Sequence, residues 1–364
     1  MEIVEATRRY EKWLGGFMPL VATDLRRKHQ RMTETPFLFM RATFYRWCQL
    51  WKALPAIERA GRAVLAVGDL HVENFGSWRD AEGRLVWGIN DFDEATTLPW
   101  TQDLVRLVTS AHIAIADRHL ALPARRASEC VLEGYRDALA RGGEPFVLEE
   151  NNRWLRRIAT GELRDPVAFW ARLGTLPVAR TVPARVRTIL ATALPGAGAP
   201  SLRFARRVAG IGSLGRPRFV GITRWCGGEV AREAKAMAPS AWRWAAGREA
   251  PAAIEYDRIR ARAVRVPDPT VHLAGDWLVR RLAPHCSRID LDDLPRRRDE
   301  ERLLYAMGFE TANVHLGTRG ATRAIRAELR GRSPRWLHQL ARQLARAIHD
   351  DWRLWRAGTS RDGA

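Results

Sequence analysis

The chain has 364 residues, 46% of them hydrophobic, which excludes an intrinsically disordered chain and allows a core shared among two or three lobes. Lys and Arg number 60 against 41 Asp and Glu, a formal net charge of +19 that favours an anionic partner such as a nucleotide, a phosphorylated metabolite, nucleic acid or acidic lipid. The basic residues are spread throughout rather than clustered, which disfavours a dedicated nucleic-acid binder.

The N-terminal stretch MEIVEATRRYEKWL has no apolar segment of signal-peptide length, and no uncharged run reaches about 18 residues, so a cytoplasmic protein without a membrane span is expected. Cys48, Cys130, Cys226 and Cys286 show no paired spacing and read as reduced thiols. Residues 5 to 30 carry a helical pattern through Tyr10, Leu14, Phe17, Leu20 and Leu25, and the basic run Arg26 to Arg31 reads as its solvated end, with a phosphate contact as the alternative. A second helix is expected from Phe37 to Leu54, stopped by Pro55, with Arg41 in a structural role.

Chemistry concentrates between Val64 and Ala95. Two apolar runs, Val64 to Val67 and Leu85 to Ile89, read as strands joined through a turn at Gly83, and each stops at a polar knot. The first knot is Gly68-Asp69-Leu70-His71-Val72-Glu73-Asn74 and the second Asn90-Asp91-Phe92-Asp93-Glu94. An Asp able to accept a hydroxyl proton, an Asn five residues on with a carbonyl oxygen for Mg²⁺, and a later Asp as carboxylate ligand are what phosphoryl transfer requires. Asp69, Asn74 and Asp91 stand in that order, with Asp93 as a second metal ligand or a brace.

Beyond the knot, Trp100 to Asp117 reads as a buried helix with Asp103 suited to its positive end and His112 to the core. Helices are expected over Ala124 to Arg141, Leu148 to Ala159, Asp165 to Leu173 and Pro183 to Leu194, either as a lid or simply as packing. Pro195 to Pro200 reads as a linker. Two β runs then flank Gly210, Gly212 and Gly215, with Ser213 between them, in a G-x-G-x-x-G pattern followed by a strand. A dinucleotide site needs a helix there, whereas a following strand suits a glycine hairpin over ATP phosphates. Only four of the basic residues are Lys, at 12, 28, 52 and 235, and a composition that prefers Arg spares Lys where a compact ammonium is required. Lys235 lies on the strand after the hairpin, where it can hold the α and β phosphates. Its acidic partner is expected from the helix Ala252 to Val264, with Glu255 preferred and Glu249 behind it. Val271 to Leu273 and Trp277 to Leu282 complete a small sheet, a hinge follows near Ala283 to Ser287, and the tail from Pro295 is helical. His315 there reads as a packed or capping histidine.

The two knots resemble the catalytic and metal-binding loops of aminoglycoside phosphotransferases and other kinase-like enzymes, with Val67 where that family carries a leading His. Met32 to Arg41, Pro99 to Leu107 and Lys235 to Ser240 are similar to the bacterial family known as domain of unknown function 2252, a resemblance read over most of the chain. Ala236 stands where that family tends to carry an acid, which leaves the partner of Lys235 open.

These readings imply an α+β, protein-kinase-like two-lobed fold, circularly permuted, because the catalytic residues precede the glycine loop and lysine. The expected units are 1–118 and 289–364 as the mainly helical catalytic lobe, 119–200 as a helical subdomain and linker, and 201–288 as the small β lobe. The expected function is ATP- and Mg-dependent phosphotransfer to a hydroxyl acceptor, small molecule or protein, to which the basic surplus gives a bias toward anions. Asp69 would act as base, Asn74, Asp91 and Asp93 as metal ligands, and Gly210, Gly212, Ser213, Gly215, Lys235 and Glu255 would serve ATP. Nucleotidyl transfer on the same groups, or a non-catalytic pseudokinase, remain open alternatives.

Overall fold

A computed structural model describes residues 1–149, 152–159, 165–196, 201–247, 253–286 and 300–359. Residues 150–151 of the expected Leu148 helix, 197–200 of the linker, Glu249, Ala252, Ser287 of the hinge and 295–299 of the tail lie outside them. The chain is mixed α+β, with long helices and small antiparallel sheets. The first expected helix is two, Ile3–Leu14 and Ala22–Arg31, with Gly15, Gly16 and Pro19 between them. The second also divides, into Pro36–Ala42 and Phe44–Ala53, at Thr43, whose hydroxyl donates to the Phe39 carbonyl.

The ten strands are β1 (Ala63–Ala66), β2 (Phe75–Arg79), β3 (Leu85–Ile89), β4 (Thr96–Pro99), β5 (Phe146–Val147), β6 (Arg203–Arg206), β7 (Arg218–Trp225), β8 (Gly228–Ala236), β9 (His272–Ala274) and β10 (Trp277–Leu282) among the described residues. The Gly83 turn does not join the two expected strands. It joins β3 to β2, a strand absent from the sequence reading, and β1 pairs instead with β4. Both polar knots still follow strand ends, because β1 runs into Asp69 and β3 into Asp91.

The later strands form a five-stranded antiparallel sheet in the order β6-β7-β8-β10-β9, with the glycine hairpin between β6 and β7 and Lys235 on the central β8. Register places Arg218 and Leu278 opposite Lys235, and Val220 and Arg280 opposite Glu233, so these side chains share one face. That face changes character along its length. At one end Val220, Ile222, Ala231 and Leu282 pack under Phe169, Trp170 and Leu173 of the helix Pro166–Gly174. At the other end it carries Arg218, Glu233, Lys235 and Arg280. The other face takes the helix Ala184–Ala193, with Leu190 seated against Gly221. Two of the helices that could have formed a lid, Pro166–Gly174 and Ala184–Ala193, are thus packed on the sheet, while Ala124–Arg141 packs against the helix Glu300–His315. The main apolar core runs without interruption from Ile3 through the knot strands to Trp355, so sheet and helices share one interior.

Candidate functional site

The first knot is held from below by Asp103. Its carboxylate, in the first turn of the helix Trp100–Ala116, accepts the Val67 amide at 2.7 Å and the Gly68 amide at 2.9 Å. His315 Nε2 lies 3.1 Å from the same group, and its Nδ1 lies 2.8 Å from the Tyr135 hydroxyl. The support left open by Val67 therefore comes from a buried carboxylate, and His315 is the packed histidine the sequence suggests. Gly68 has φ +85°, and any side chain there would strike the Glu94 carbonyl, so only glycine lets the two knots touch.

Asp69 emerges from that turn. Its Oδ1 accepts Arg106 Nε at 2.8 Å and Nη2 at 2.5 Å, and Nη2 also donates to the Met40 carbonyl. Arg106 is fully buried, with its guanidinium over the rings of Phe44 and Trp47. Burial raises the Asp69 carboxyl above its ordinary value and the Arg106 charge opposes that rise. The Asn74 amide oxygen, expected to face a metal, accepts the His71 backbone N–H at 2.6 Å. Its remaining lone pair is what it can offer an ion. Glu73 is salt-bridged to Arg41, and His71 Nδ1 accepts the Glu73 amide, so both residues brace the loop.

The second knot meets the sheet. Lys235 Nζ lies 2.5 Å from each carboxylate oxygen of Asp93, across 142 positions of sequence. Burial depresses the lysine's pKa against the pull of Asp93 and Asp91. Asp93 is held well below the usual carboxylate range by Lys235 and Arg216, despite burial. Burial followed by the Asp93 charge raises the neighbouring Asp91 carboxyl, whose Oδ1 accepts the Asp93 amide at 3.2 Å. Glu255 is not the partner of Lys235. It stands at the N-terminus of the helix Tyr256–Arg262 and pairs with Arg258 at 2.9 Å, while the adjacent Tyr256 packs edge-on against Phe92. The acid comes from the second knot itself, two residues past Asp91.

The glycine hairpin closes the site. The Ile211–Ser213 turn brings Gly212 against the Arg41 carbonyl, and a β-carbon on Gly212 would sit 3.0 Å from that oxygen and 3.8 Å from Asp69 Oδ2. Ser213 Oγ accepts Arg218 Nη2 at 2.7 Å, so it faces the sheet as well as the cavity. Gly215 lies further out, where its carbonyl accepts the Val21 amide and a β-carbon on it would strike Leu25. The cavity has a free volume of about 60 Å³, room for a few waters, and Asp69, Asn74, Asp91, Asp93, Gly212 and Arg216 line it.

Several residues of this centre carried no assigned role in the sequence reading. Arg216 and Glu94 line the cavity, Arg106 bonds Asp69, and Lys28 lies behind the Tyr45 ring of the cavity wall. Arg216 Nη2 donates to Glu94 Oε1 at 3.0 Å, and Glu94 Oε2 accepts the Ala241 amide at 2.6 Å. Burial pushes the Glu94 carboxyl up to about 7. The solvated helix end holds for Arg26 and Arg27, whereas Lys28 is buried.

Asp91, Asp93 and Asn74 offer only oxygen, the donor type a hard cation takes. Among the described residues no three His, Cys, Asp or Glu side chains gather into a metal cage. Two carboxylates suit Mg²⁺, which keeps several ligand positions for water or phosphate oxygens rather than an all-protein cage. No helix among the described residues is long and apolar enough to cross a membrane.

The family described as an uncharacterized protein conserved in bacteria (DUF2252) matches residues 20–166. That span is narrower than the resemblance read from the sequence. It contains Asp69, Asn74, Asp91 and Asp93 and ends before the hairpin and Lys235. No curated protein and no solved structure matches the chain.

Proposed function

We propose that the protein is an ATP- and Mg-dependent phosphotransferase acting on a hydroxyl acceptor, built as a circularly permuted kinase-like fold. The observation that carries this reading is the contact of Lys235 with Asp93 beside a cavity that Asp69, Asn74, Asp91 and the glycine hairpin also line. Support comes from the sheet as well. The hairpin joins its first two strands, the lysine lies on the third, and a helix precedes the last two, the sequence of parts that kinase nucleotide lobes use. The catalytic loops stand ahead of the sheet instead of behind it, and the acid on the lysine comes from the second knot instead of a helix, yet function depends on where groups meet in space.

In this mechanism Asp69 receives and orients the acceptor hydroxyl, and Arg106 fixes the carboxylate so that Oδ2 faces the cavity. Asp91, Asp93 and Asn74 hold Mg²⁺, which when bound neutralises phosphate charge. Lys235 orders the phosphates, and the backbone of Gly210 to Ser213 covers them. Phosphoryl transfer asks for placement and charge compensation more than for covalent help, and these groups supply both.

The test is transfer of label from γ-³²P-ATP and, separately, α-³²P-ATP into a metabolite extract, with wild-type chain and Asp69→Asn. Label from the γ position that disappears in the variant supports the proposal. Label from the α position alone would replace phosphoryl by nucleotidyl transfer. ATP binding with no transfer from either would make the chain a pseudokinase.

A further inference from the structure

We propose that the cleft recognises its nucleotide through the phosphate chain and not through the base, with Arg216 and Lys28 as cations that hold the chain alongside Lys235. This rests on the nucleotide reading above and goes beyond it in naming the part of the ligand that is bound.

The first observation is an unfinished guanidinium. Arg216 has only 3% of its side chain exposed, yet among the described residues its Nε and Nη1 have no partner in hydrogen-bond geometry. The Tyr10 hydroxyl interacts with this guanidinium, though not in good hydrogen-bond geometry, and Nη1 stands 3.9 Å from Asp93, beyond a hydrogen bond. Buried charged N–H groups left unsatisfied are costly, and this one lines the same cavity as Asp69 and Asp91. An oxyanion in that cavity would complete it.

The second is a buried ammonium without a carboxylate. Lys28 is 2% exposed, and among the described residues it has no ion pair. Its Nζ sits 5.6 Å from the centre of the Tyr45 ring, which lines the cavity. Of the four lysines, 12 and 52 are exposed, whereas 28 and 235 are buried around this one centre. A composition that otherwise writes Arg has kept its compact cations here.

The third concerns the base. A purine takes a flat apolar slot, whereas among the described residues the stretch of sheet face next to Lys235 that carries Arg218, Glu233 and Arg280 is charged. It presents Glu233, fully buried and bonded to Arg207 at 2.5 Å, Arg218 at 3.0 Å and Arg280 at 2.8 Å, three cations on one anion. The surplus positive charge on this wall suits phosphate.

Calorimetric titration of the full chain in Mg²⁺ with ATP, GTP, CTP and inorganic tripolyphosphate tests the proposal. Dissociation constants within about fivefold of one another are expected. Arg216→Gln is expected to weaken all four together by tenfold or more, the loss of charged hydrogen bonds, and Lys28→Met by a smaller common factor. Arg216→Lys, which keeps the charge, is expected to recover part of the loss, and circular dichroism reports folding of each variant. ATP bound a hundredfold tighter than GTP and tripolyphosphate, or a folded Arg216→Gln that binds as wild type, would overturn this inference alone. Failure of all four to bind would overturn the nucleotide reading and this inference with it.

Discussion

Two buried carboxylates lie close together in this molecule, fastened by cations from the same sheet, and they have different roles. Glu233 accepts from Arg207, Arg218 and Arg280 and is fully buried. Asp93 takes the ammonium of Lys235, one strand position further along in the same direction, with a guanidinium left at 3.9 Å and a cavity in front of it. Around Glu233 the donors are engaged, so that centre behaves as a rivet between β7, β8 and β10. Around Asp93 they are not, so that centre can still receive something. Unused hydrogen-bonding capacity in a buried place, rather than charge as such, separates the candidate site from its neighbour.

The comparison can be broken or sharpened by substitution. The largest effect is expected at Asp69→Asn, which retains an acceptor for Arg106 but removes the carboxylate facing the cavity. Label transfer should fall by about 10²–10⁴-fold, with urea denaturation little changed. Next is Glu233→Gln, which leaves three guanidiniums around a neutral amide and is expected to cost about 3–5 kcal/mol in urea unfolding. A stable Glu233→Gln chain without activity would reverse the two roles. Asp103→Asn should follow at about 1–3 kcal/mol, because one of the Val67 and Gly68 amides loses its acceptor. Reduced stability without any fall in label transfer would show that the first knot keeps its shape without this support.

The smallest effect is a matter of pH. Burial raises the Glu310 carboxyl to about 7 from an ordinary 4.5, with Arg265, Asn313 and the Ile89 amide opposing the rise. The unfolded chain releases this proton earlier than the folded one, so the contribution is full below about pH 4.5 and is lost as pH rises toward 7. Thermal unfolding of Glu310→Gln at pH 5 and pH 7.5 should therefore show a shallower fall with pH than wild type. A steeper fall would mean that Glu310 is ionised in the folded chain across that range.

The sequence made the local chemistry legible and the long-range partnerships much less so. The knots were visible because β-branched and apolar runs end abruptly in carboxylates, and the hairpin because glycines recur before a strand. β9 and β10 followed from short apolar runs. The pairing of β1 with β4 was not visible, since nothing in the Gly83 turn says which earlier strand it serves. β2 was missed because Phe75-Gly76-Ser77-Trp78-Arg79 mixes a strand-breaking glycine with polar residues, and its aromatic side chains are buried only once β3 lies beside it. Arg106 and Arg216 could not be told from dozens of other arginines, because desolvation gives them their roles and spacing carries no trace of it. Glu255 was chosen for its place on the expected helix, yet an acid on the knot was nearer to the lysine in space. The scarcity of lysine did carry information, and it applied to Lys28 as well as Lys235.

The bond between the Val21 amide and the Gly215 carbonyl, with Leu25 wedged against the same glycine, bears on timing as well as shape. In the nucleotide reading, a pocket with room for a few waters would admit its ligand only if the glycine hairpin lifted, and lifting would strain that latch. Turnover would then be paced by the helix Ala22–Arg31, and the exchange of the Val21 amide proton with solvent would keep count of each opening.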